Sequence, residues 1–126
     1  MRFVIDHSSG RAVYQQIVDY VKREVALGRY RSGEQIPTVR DLAKQLVLNP
    51  NTIAKAYRIL ERNGIITTRP GAGTYIADSE SPLTREAKEK ILTEQLEYAI
   101  VEAVSLKVGR NIFTELFNRL LEKFHF

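Results

Sequence analysis

The 126-residue chain contains no cysteine. That absence excludes disulfide frameworks, thiolate metal sites and cysteine nucleophiles, and it is typical of proteins from a reducing, intracellular compartment. No apolar run approaches the roughly 20 residues that a membrane span needs. The chain begins Met1-Arg2-Phe3-Val4-Ile5-Asp6, which becomes charged too early for a secretory signal. We therefore expect a cytoplasmic protein with no membrane partner.

Patterns typical of catalysis and metal binding are also scarce. Histidine occurs only at His7 and His125, at the two extremes of the chain and with no repeated ligand spacing, so we expect both at the surface. Ser8-Ser9-Gly10 lacks the flanking residues of a nucleophile elbow. Gly71-Ala72-Gly73 matches neither a phosphate loop nor a dinucleotide fingerprint. The sequence therefore predicts no catalytic residue, no metal site and no cofactor, and so no enzyme.

Length and composition indicate a folded chain that is too short for a barrel enzyme. Hydrophobic residues make up 44% and charged residues 27%, as in folded proteins with a core. The charge is unevenly divided, because residues 1–77 hold 12 Lys/Arg and 6 Asp/Glu whereas residues 78–126 hold 7 and 9. The net charge of +6 in the first part favours a polyanionic partner. Chance asymmetry in a short chain is the alternative.

Apolar residues at helical spacing predict a first helix over residues 11–28. Its stripe consists of Tyr14, Ile17, Val18, Val21 and Val25. Residues 28–37 contain two glycines and a proline, which predicts a loop with Ile36 as its single buried anchor.

A short turn separates the second and third predicted helices. Thr38 is placed to cap the second helix, which ends near Leu46. Asn49 is a strong N-cap residue, and Pro50 suits the first position of a third helix that ends at Gly64. Two helices so close in sequence cannot stack antiparallel and must cross steeply, as in a helix-turn-helix.

The third helix is predicted to have an apolar and a basic face. Its buried face consists of Ile53, Ala56, Tyr57 and Leu60. At about 100° per residue, the opposite face carries Asn51, Lys55, Arg58 and Arg62. In a DNA groove, Asn51 suits adenine, Thr52 suits a base or a thymine methyl, and Lys55 and Arg58 suit guanine or phosphate. Simple capping by Asn49 and a merely solvated face for Lys55 and Arg58 are the alternatives.

Two β-prone segments follow at residues 65–68 and 74–77, with turn residues at 69–73 between them. They predict a hairpin, and the order of elements is that of a winged helix-turn-helix. In the turn, Gly71 and Gly73 permit positive φ and a close backbone approach to DNA, with Arg69 alongside. An ordinary hairpin turn is the alternative for these glycines.

Arg40 lies two residues into the second helix, where a positive charge opposes the helix dipole. That position indicates an external anion, most simply a DNA phosphate. An ion pair with Asp41 or Glu34 is the alternative.

The C-terminal part is predicted to pair with a second chain. Residues 78–82 have the composition of a linker, Gly109 is expected to break the helix that follows, and Asn111 is expected to cap a last helix. Apolar residues in the first of these helices are spaced by four and three residues, as in a coiled coil, and those in the last helix form a wide stripe. These two patterns predict the dimerisation residues Leu92, Leu96, Ala99, Ala103, Leu106, Phe113, Leu116, Phe117, Leu120 and Phe124. A segment of about 45 residues cannot enclose a drug-sized pocket of several hundred Å³ by itself.

Several separated blocks resemble, in order and spacing, the DNA-binding domain of GntR-family transcriptional regulators. They are GEQIPTVRDLA at 33–43, NPNTIAKAY at 49–57, Gly64, and GAGTYI at 71–76. The NPNT run and the short two-helix tail resemble the YtrA-like subfamily. The resemblance implies a homodimeric bacterial repressor of a palindromic operator, with DNA contacts from Arg40, the 49–52 segment and Gly71. Pro50 and Ala54 depart from the family pattern, because many relatives carry guanine-reading arginines there.

The sequence thus predicts a mainly α fold with a small β-hairpin. Residues 1–77 would form a winged helix-turn-helix DNA-binding domain and residues 78–126 a linker and a two-helix dimerisation or effector domain. The predicted DNA-binding residues are Arg40, Asn49, Asn51, Thr52, Lys55, Arg58, Arg69 and Gly71. The expected partners are an operator in double-stranded DNA and a second copy of the chain, and no particular small-molecule effector is predicted. The alternatives are a winged-helix adaptor that binds protein without DNA and a fragment of a regulator fused to an enzyme domain.

Overall fold

The computed structural model describes residues 3–78 and 83–124. In chain order they form α1 (Val13–Ala26), β1 (Gln35–Ile36), α2 (Val39–Leu46), α3 (Pro50–Arg62), β2 (Ile66–Arg69), β3 (Gly73–Ile76), α4 (Arg85–Ser105) and α5 (Arg110–Lys123). The described residues divide into two compact units, one on each side of residues 79–82. His125 and most of the predicted linker lie outside the described residues. The predicted fold class, a mainly helical winged helix-turn-helix protein, is confirmed.

The core of the N-terminal unit lies where α1, α2, α3 and the sheet meet. Its largest fully buried side chains are Ile17, Val18, Val21, Leu42, Ile53, Leu60 and Ile66. Burial of one such aliphatic side chain contributes about 1.5–3 kcal/mol. The stripe predicted for α1 is confirmed at its centre, whereas Tyr14 and Val25 at its ends are only partly buried.

The turn between α2 and α3 forms as the sequence predicts. Thr38 Oγ1 accepts a hydrogen bond from the Asp41 N–H at 3.2 Å, which caps α2. Asn49 Oδ1 accepts one from the Asn51 N–H at 2.9 Å, and Pro50 occupies the first position of α3. These caps satisfy backbone donors that a helix leaves unpaired at its start. The predicted boundaries of this helix-turn-helix are confirmed.

The sheet has three strands, whereas the sequence predicted two. The predicted hairpin is present, with Thr67 opposite Tyr75 across β2 and β3. On the other side of β3, Ile36 of β1 lies opposite Thr74, which makes β3 the central strand. The prediction of a loop was therefore wrong at residues 35–36, although Ile36 is buried as expected. A two-residue strand is too short to show an alternating pattern in the sequence.

Val47, at the end of α2, has an unfavourable backbone conformation for a β-branched residue. Its φ is 54°, and the residue is 88% exposed, so packing does not offset the strain. The Val47 and Leu48 N–H groups donate to the Lys44 and Ala43 carbonyls, which is a Schellman helix end. The corresponding position after α3 is Gly64, with φ of 76°.

Replacing Val47 by glycine should stabilise the protein. The left-handed conformation costs a non-glycine residue roughly 1–2 kcal/mol, and the greater freedom of glycine in the unfolded chain offsets part of the gain. We expect Val47→Gly to raise the free energy of unfolding by about 1 kcal/mol in urea titrations at fixed protein concentration. Val47→Ala, which retains the positive φ, is the control and should gain less. Equal stability of the glycine and valine proteins would show that the strain at Val47 does not exceed the conformational entropy that glycine loses on folding.

In the C-terminal unit, neither helix carries a buried residue among those that the structure describes. Thr84 Oγ1 caps α4 by accepting a hydrogen bond from the Ala87 N–H at 3.1 Å. The predictions for the α4–α5 connection were wrong. A Schellman end with Lys107 at φ of 61° terminates α4 before Gly109, and Gly109 is the N-cap of α5 in the place given to Asn111. A helix can end at any residue that adopts the left-handed conformation, so glycine does not mark every end.

Candidate nucleic-acid interface

A groove opens between the start of α2, one face of α3 and the β2–β3 wing. Its volume is about 620 Å³. Each of the three elements contributes one arginine to its lining, namely Arg40 of α2, Arg58 of α3 and Arg69 of β2. Glu61 is the single carboxylate among the described lining residues. The groove is therefore positively charged and suited to an anionic partner.

Tyr57 fixes the relative position of α2 and α3 at this groove. The residue is only 4% exposed, and its hydroxyl donates a hydrogen bond of 2.7 Å to the Pro37 carbonyl oxygen, directly before the Thr38 cap. Burial raises the pKa of Tyr57 well above its usual value, so the hydroxyl remains a neutral donor. The apolar stripe of α3 predicts a core position for Tyr57 but does not reveal this hydrogen bond. The signal was a hydroxyl on an otherwise apolar stripe, because buried tyrosine hydroxyls usually have a partner.

Arg40 is exposed and makes no ion pair with the residues that the structure describes. The intramolecular alternative considered from the sequence, a pair with Asp41 or Glu34, is therefore not formed. Instead, Glu34 Oε1 accepts a hydrogen bond from the Arg31 N–H at 3.3 Å. Arg40 thus places an unpaired positive charge in the first turn of α2, where the dipole of the helix favours a nearby anion.

The first turn of α3 presents two polar side chains beside its cap. Asn49 does cap the helix, and its side-chain oxygen is occupied by that hydrogen bond. The exposed side-chain amide of Asn51 makes no hydrogen bond within the described residues. Thr52 is half-buried. Of these residues, Asn51 therefore has the freest donor and acceptor groups for an external partner.

The basic residues of α3 do not all face the groove. Arg58 lines the groove, whereas Lys55 is absent from the lining. The Lys55 ammonium lies 3.9 Å from the centroid of the Tyr14 ring of α1, within the range of a cation–π contact. The sequence predicts one continuous outward face and indicates no partner for Lys55. Tyr14 showed no such role in the sequence, because its spacing fits the apolar stripe of α1.

The wing ends in a tight turn over residues 69–72. The Ala72 N–H donates to the Arg69 carbonyl oxygen at 2.9 Å, and Gly71, which follows Pro70, has φ of 75°. This hydrogen bond and the Pro-Gly pair are those of a type II turn. A Cβ atom added at Gly71 would meet nothing within 4 Å, so the tip of the wing is open to an approaching partner.

The groove thus gathers half of the residues that the sequence predicted to contact DNA, namely Arg40, Arg58, Arg69 and Gly71. Four others lie outside its lining, at the start of α3 or on the side of α3 that carries the Tyr14 contact: Asn49, Asn51, Thr52 and Lys55. Ala54, which departs from the family pattern, also lines the groove. The candidate surface for DNA is therefore the groove together with the adjoining first turn of α3.

The predicted dimerisation residues are largely solvent-exposed in the single chain. Leu92 and Leu106 are 61% and 65% exposed, and the leucines and Phe117 of α5 are also exposed. Contrary to the expectation of no pocket of several hundred Å³ in this segment, a partly open pocket of about 400 Å³, mostly lined by apolar side chains, lies between the end of α4 and the start of α5. Exposed apolar residues also occupy other faces of α4, including Tyr98 and Val101. The apolar surface of α4 is therefore wider than the predicted seam.

Within residues 3–78 and 83–124, no helix combines the length and apolar character needed to cross a membrane. The same residues contain no group of histidine, aspartate and glutamate that could hold a metal ion.

Fold and groove together define a winged helix-turn-helix protein with a cationic groove beside its second and third helices. The model of the bacterial regulatory proteins of the gntR family matches residues 13–76, from α1 through β3. The chain is 40% identical over 99 residues to the HTH-type transcriptional repressor YtrA of Bacillus subtilis, covering 79% of this chain and 76% of that protein. The chain belongs to the GntR family of bacterial transcriptional regulators, and the predicted resemblance to YtrA is confirmed.

Two solved structures extend this likeness over both units. The transcriptional antiterminator from Listeria monocytogenes EGD-e has a TM-score of 0.83 and 33% identity, covering 95% of this chain and 90% of that one. YtrA from Sulfolobus acidocaldarius, a GntR-family transcription factor, has a TM-score of 0.58 and 26% identity, with 96% and 97% covered.

Proposed function

We propose that this regulator is a repressor that binds a palindromic DNA operator as a homodimer and acts in the cytoplasm. Residues 1–77 would be the DNA-binding domain, and residues 78–126 the linker and dimerisation domain. The observation that carries the proposal is the groove in which α2, α3 and the wing each supply one arginine. Repression is supported by the relative from Bacillus subtilis, which is named a transcriptional repressor.

In this proposal α3 enters the major groove, with its first turn at the base edges. Asn51 and Thr52 then meet bases, and Arg58 contacts guanine or phosphate. Arg40 contacts a phosphate. Gly71 allows the wing to approach the sugar-phosphate backbone closely. Tight packing of α3 against the start of α2 through Tyr57 would keep these contacts in register.

The C-terminal helices support the homodimer. Helices of 21 and 14 residues without a buried side chain have no core of their own, and short isolated helices are marginal in water. A contiguous exposed apolar surface is typical of a protein interface. A second copy supplies an identical surface, and a twofold dimer matches the two halves of a palindrome.

Binding to duplex DNA should be strongly salt-dependent. If each subunit neutralises about four phosphates, the logarithm of affinity should fall with the logarithm of salt concentration at a slope of about −7 for the dimer. The measurement is fluorescence anisotropy on a duplex selected from random DNA. Duplex RNA is the control, because one structural relative is named an antiterminator. Affinity that is flat between low and physiological salt, or the absence of an enriched sequence, would favour the protein-binding adaptor.

Arg40→Ala should weaken binding to all duplexes by a similar factor. Loss of one phosphate contact in each subunit should reduce affinity about fivefold to tenfold and make the salt slope shallower by about two. Lys22→Ala is the matched control, because it removes the same charge from an exposed position of α1 outside the groove lining. Both variants should keep the helical circular dichroism of the parent. An unchanged affinity for Arg40→Ala would remove this residue from the interface.

A further inference from the structure

Tyr75, in the central strand of the sheet, contacts the wing through both its ring and its hydroxyl. The Cζ atom of Arg69 lies 4.5 Å from the centroid of the Tyr75 ring, a cation–π contact. The Tyr75 hydroxyl donates a hydrogen bond of 3.0 Å to the Ala72 carbonyl oxygen. One side chain therefore holds the arginine of the wing and the turn that presents it.

The backbone beneath Tyr75 is fixed on both sides. Tyr75 lies opposite Gln35 of β1 and opposite Thr67 of β2. Thr74 and Ile76, the neighbours of Tyr75 in β3, point to the opposite face of the sheet, where they are only 3% and 2% exposed. The ring thus stands on the outer face of a strand that is paired along both edges and cannot move independently of the sheet.

Glu61 is a carboxylate that shares the groove lining with Arg69. Glu61 and Arg69 line the same groove, but no ion pair joins them in the described residues. An arginine without other contacts would gain attraction from a carboxylate in the same groove. The guanidinium of Arg69 instead contacts the Tyr75 ring on the wing.

We propose that Tyr75 is a positioning residue that holds Arg69 out of reach of Glu61 and ready to contact the DNA backbone. The inference rests on the proposed function, because its consequence is measured as DNA binding. Loss of the ring releases Arg69 to pair with Glu61, and the wing then loses a cation available to phosphate. Tyr75 itself need not touch DNA.

The decisive variant is Tyr75→Ile, because isoleucine suits a central strand but offers no π face. Affinity for the selected operator should fall about threefold per wing, and so about tenfold for the dimer. The salt slope should become shallower by about two, as it should for Arg69→Ala. Combining the two substitutions should cost no more than Arg69→Ala alone. Tyr75→Phe keeps the ring and should retain the parental salt slope.

A rescue experiment distinguishes a positioning role of Tyr75 from a merely structural one. Glu61→Gln removes the competing charge, so in the Tyr75→Ile background it should restore most of the affinity and the steeper salt slope. A damaged sheet would not be rescued in this way. Lys22→Ala, at an exposed position of α1 outside the groove lining, is the control and should bind like the parent.

A spectroscopic measurement tests the contact even where Tyr75→Ile fails to fold. Ring current should shift the Arg69 side-chain protons upfield in the parent and in Tyr75→Phe. Absence of that shift, parental binding by Tyr75→Ile, multiplicative losses with Arg69→Ala, or no rescue by Glu61→Gln would each overturn the inference. Failure of the parent protein to bind any duplex would instead defeat the proposed function, so the two failures are distinguishable.

Discussion

A chain cut after Ser81 should sediment as a monomer and bind its operator at least about 100-fold more weakly than the full chain. The cut removes α4 and α5, whose apolar side chains have no core within one chain. The N-terminal unit keeps its own buried core of α1, α2, α3 and the sheet, so it should remain folded. Without the tail, the second half-site is no longer bound at a high effective concentration.

A half-site duplex is the internal control for this experiment. The truncated and full chains should bind a single half-site with similar affinity, because the groove is unchanged. Loss of half-site binding would show that the cut damages the N-terminal unit. A truncated chain that still dimerises would place the interface outside α4 and α5.

Single substitutions in the full chain should locate the interface more closely. Leu96→Glu and Leu116→Glu put a carboxylate on the apolar surfaces of α4 and α5, where both leucines are partly accessible at 43% and 42%. Burial of an unpaired charge in a dimer interface is strongly unfavourable, so both variants should dissociate. Lys88→Glu, at an exposed charged position of α4, is the control and should remain dimeric at the same concentration.

The helix-turn-helix was predictable because its signals are local. Thr38, Asn49 and Pro50 act on backbone groups within three residues of themselves, so their types and spacing define the boundaries of α2 and α3. Strand β1 was not predictable, because its two residues are extended only through pairing with β3, a partner about 40 residues away. Lys107 likewise adopts positive φ without being the glycine that the sequence rule expects.

The candidate site was predictable in its residue types but not in its internal contacts. The net positive charge and the position of Arg40 on α2 follow from the sequence. The contacts of Lys55 with Tyr14 and of Arg69 with Tyr75 join side chains from different elements. The sequence does not distinguish a tyrosine that packs in the core from one that contacts a cation, whether the tyrosine lies on an apolar stripe or in a strand. Such pairs become visible only when the tertiary structure brings the rings and the cations together.

Asn51→Ala should mainly reduce sequence discrimination. Its exposed amide has a donor and an acceptor but no charge, and it lies in the first turn of α3. We expect a loss of about 1–3 kcal/mol on the selected operator and a far smaller loss on random DNA. Arg58→Ala is the comparison variant, because Arg58 lines the groove and carries charge. That variant should weaken both duplexes, with the larger effect on the operator.

The measurement is a pair of titrations for each variant, with specific and random duplexes at one salt concentration. Lys55→Ala completes the set, because Lys55 contacts Tyr14 outside the groove lining and should contribute to general affinity rather than to discrimination. Equal weakening of both duplexes by Asn51→Ala would make Asn51 a structural or phosphate-facing residue. The recognition face would then be rotated from the one predicted, and Thr52, about 100° around the same turn, would be the better candidate for contacting bases.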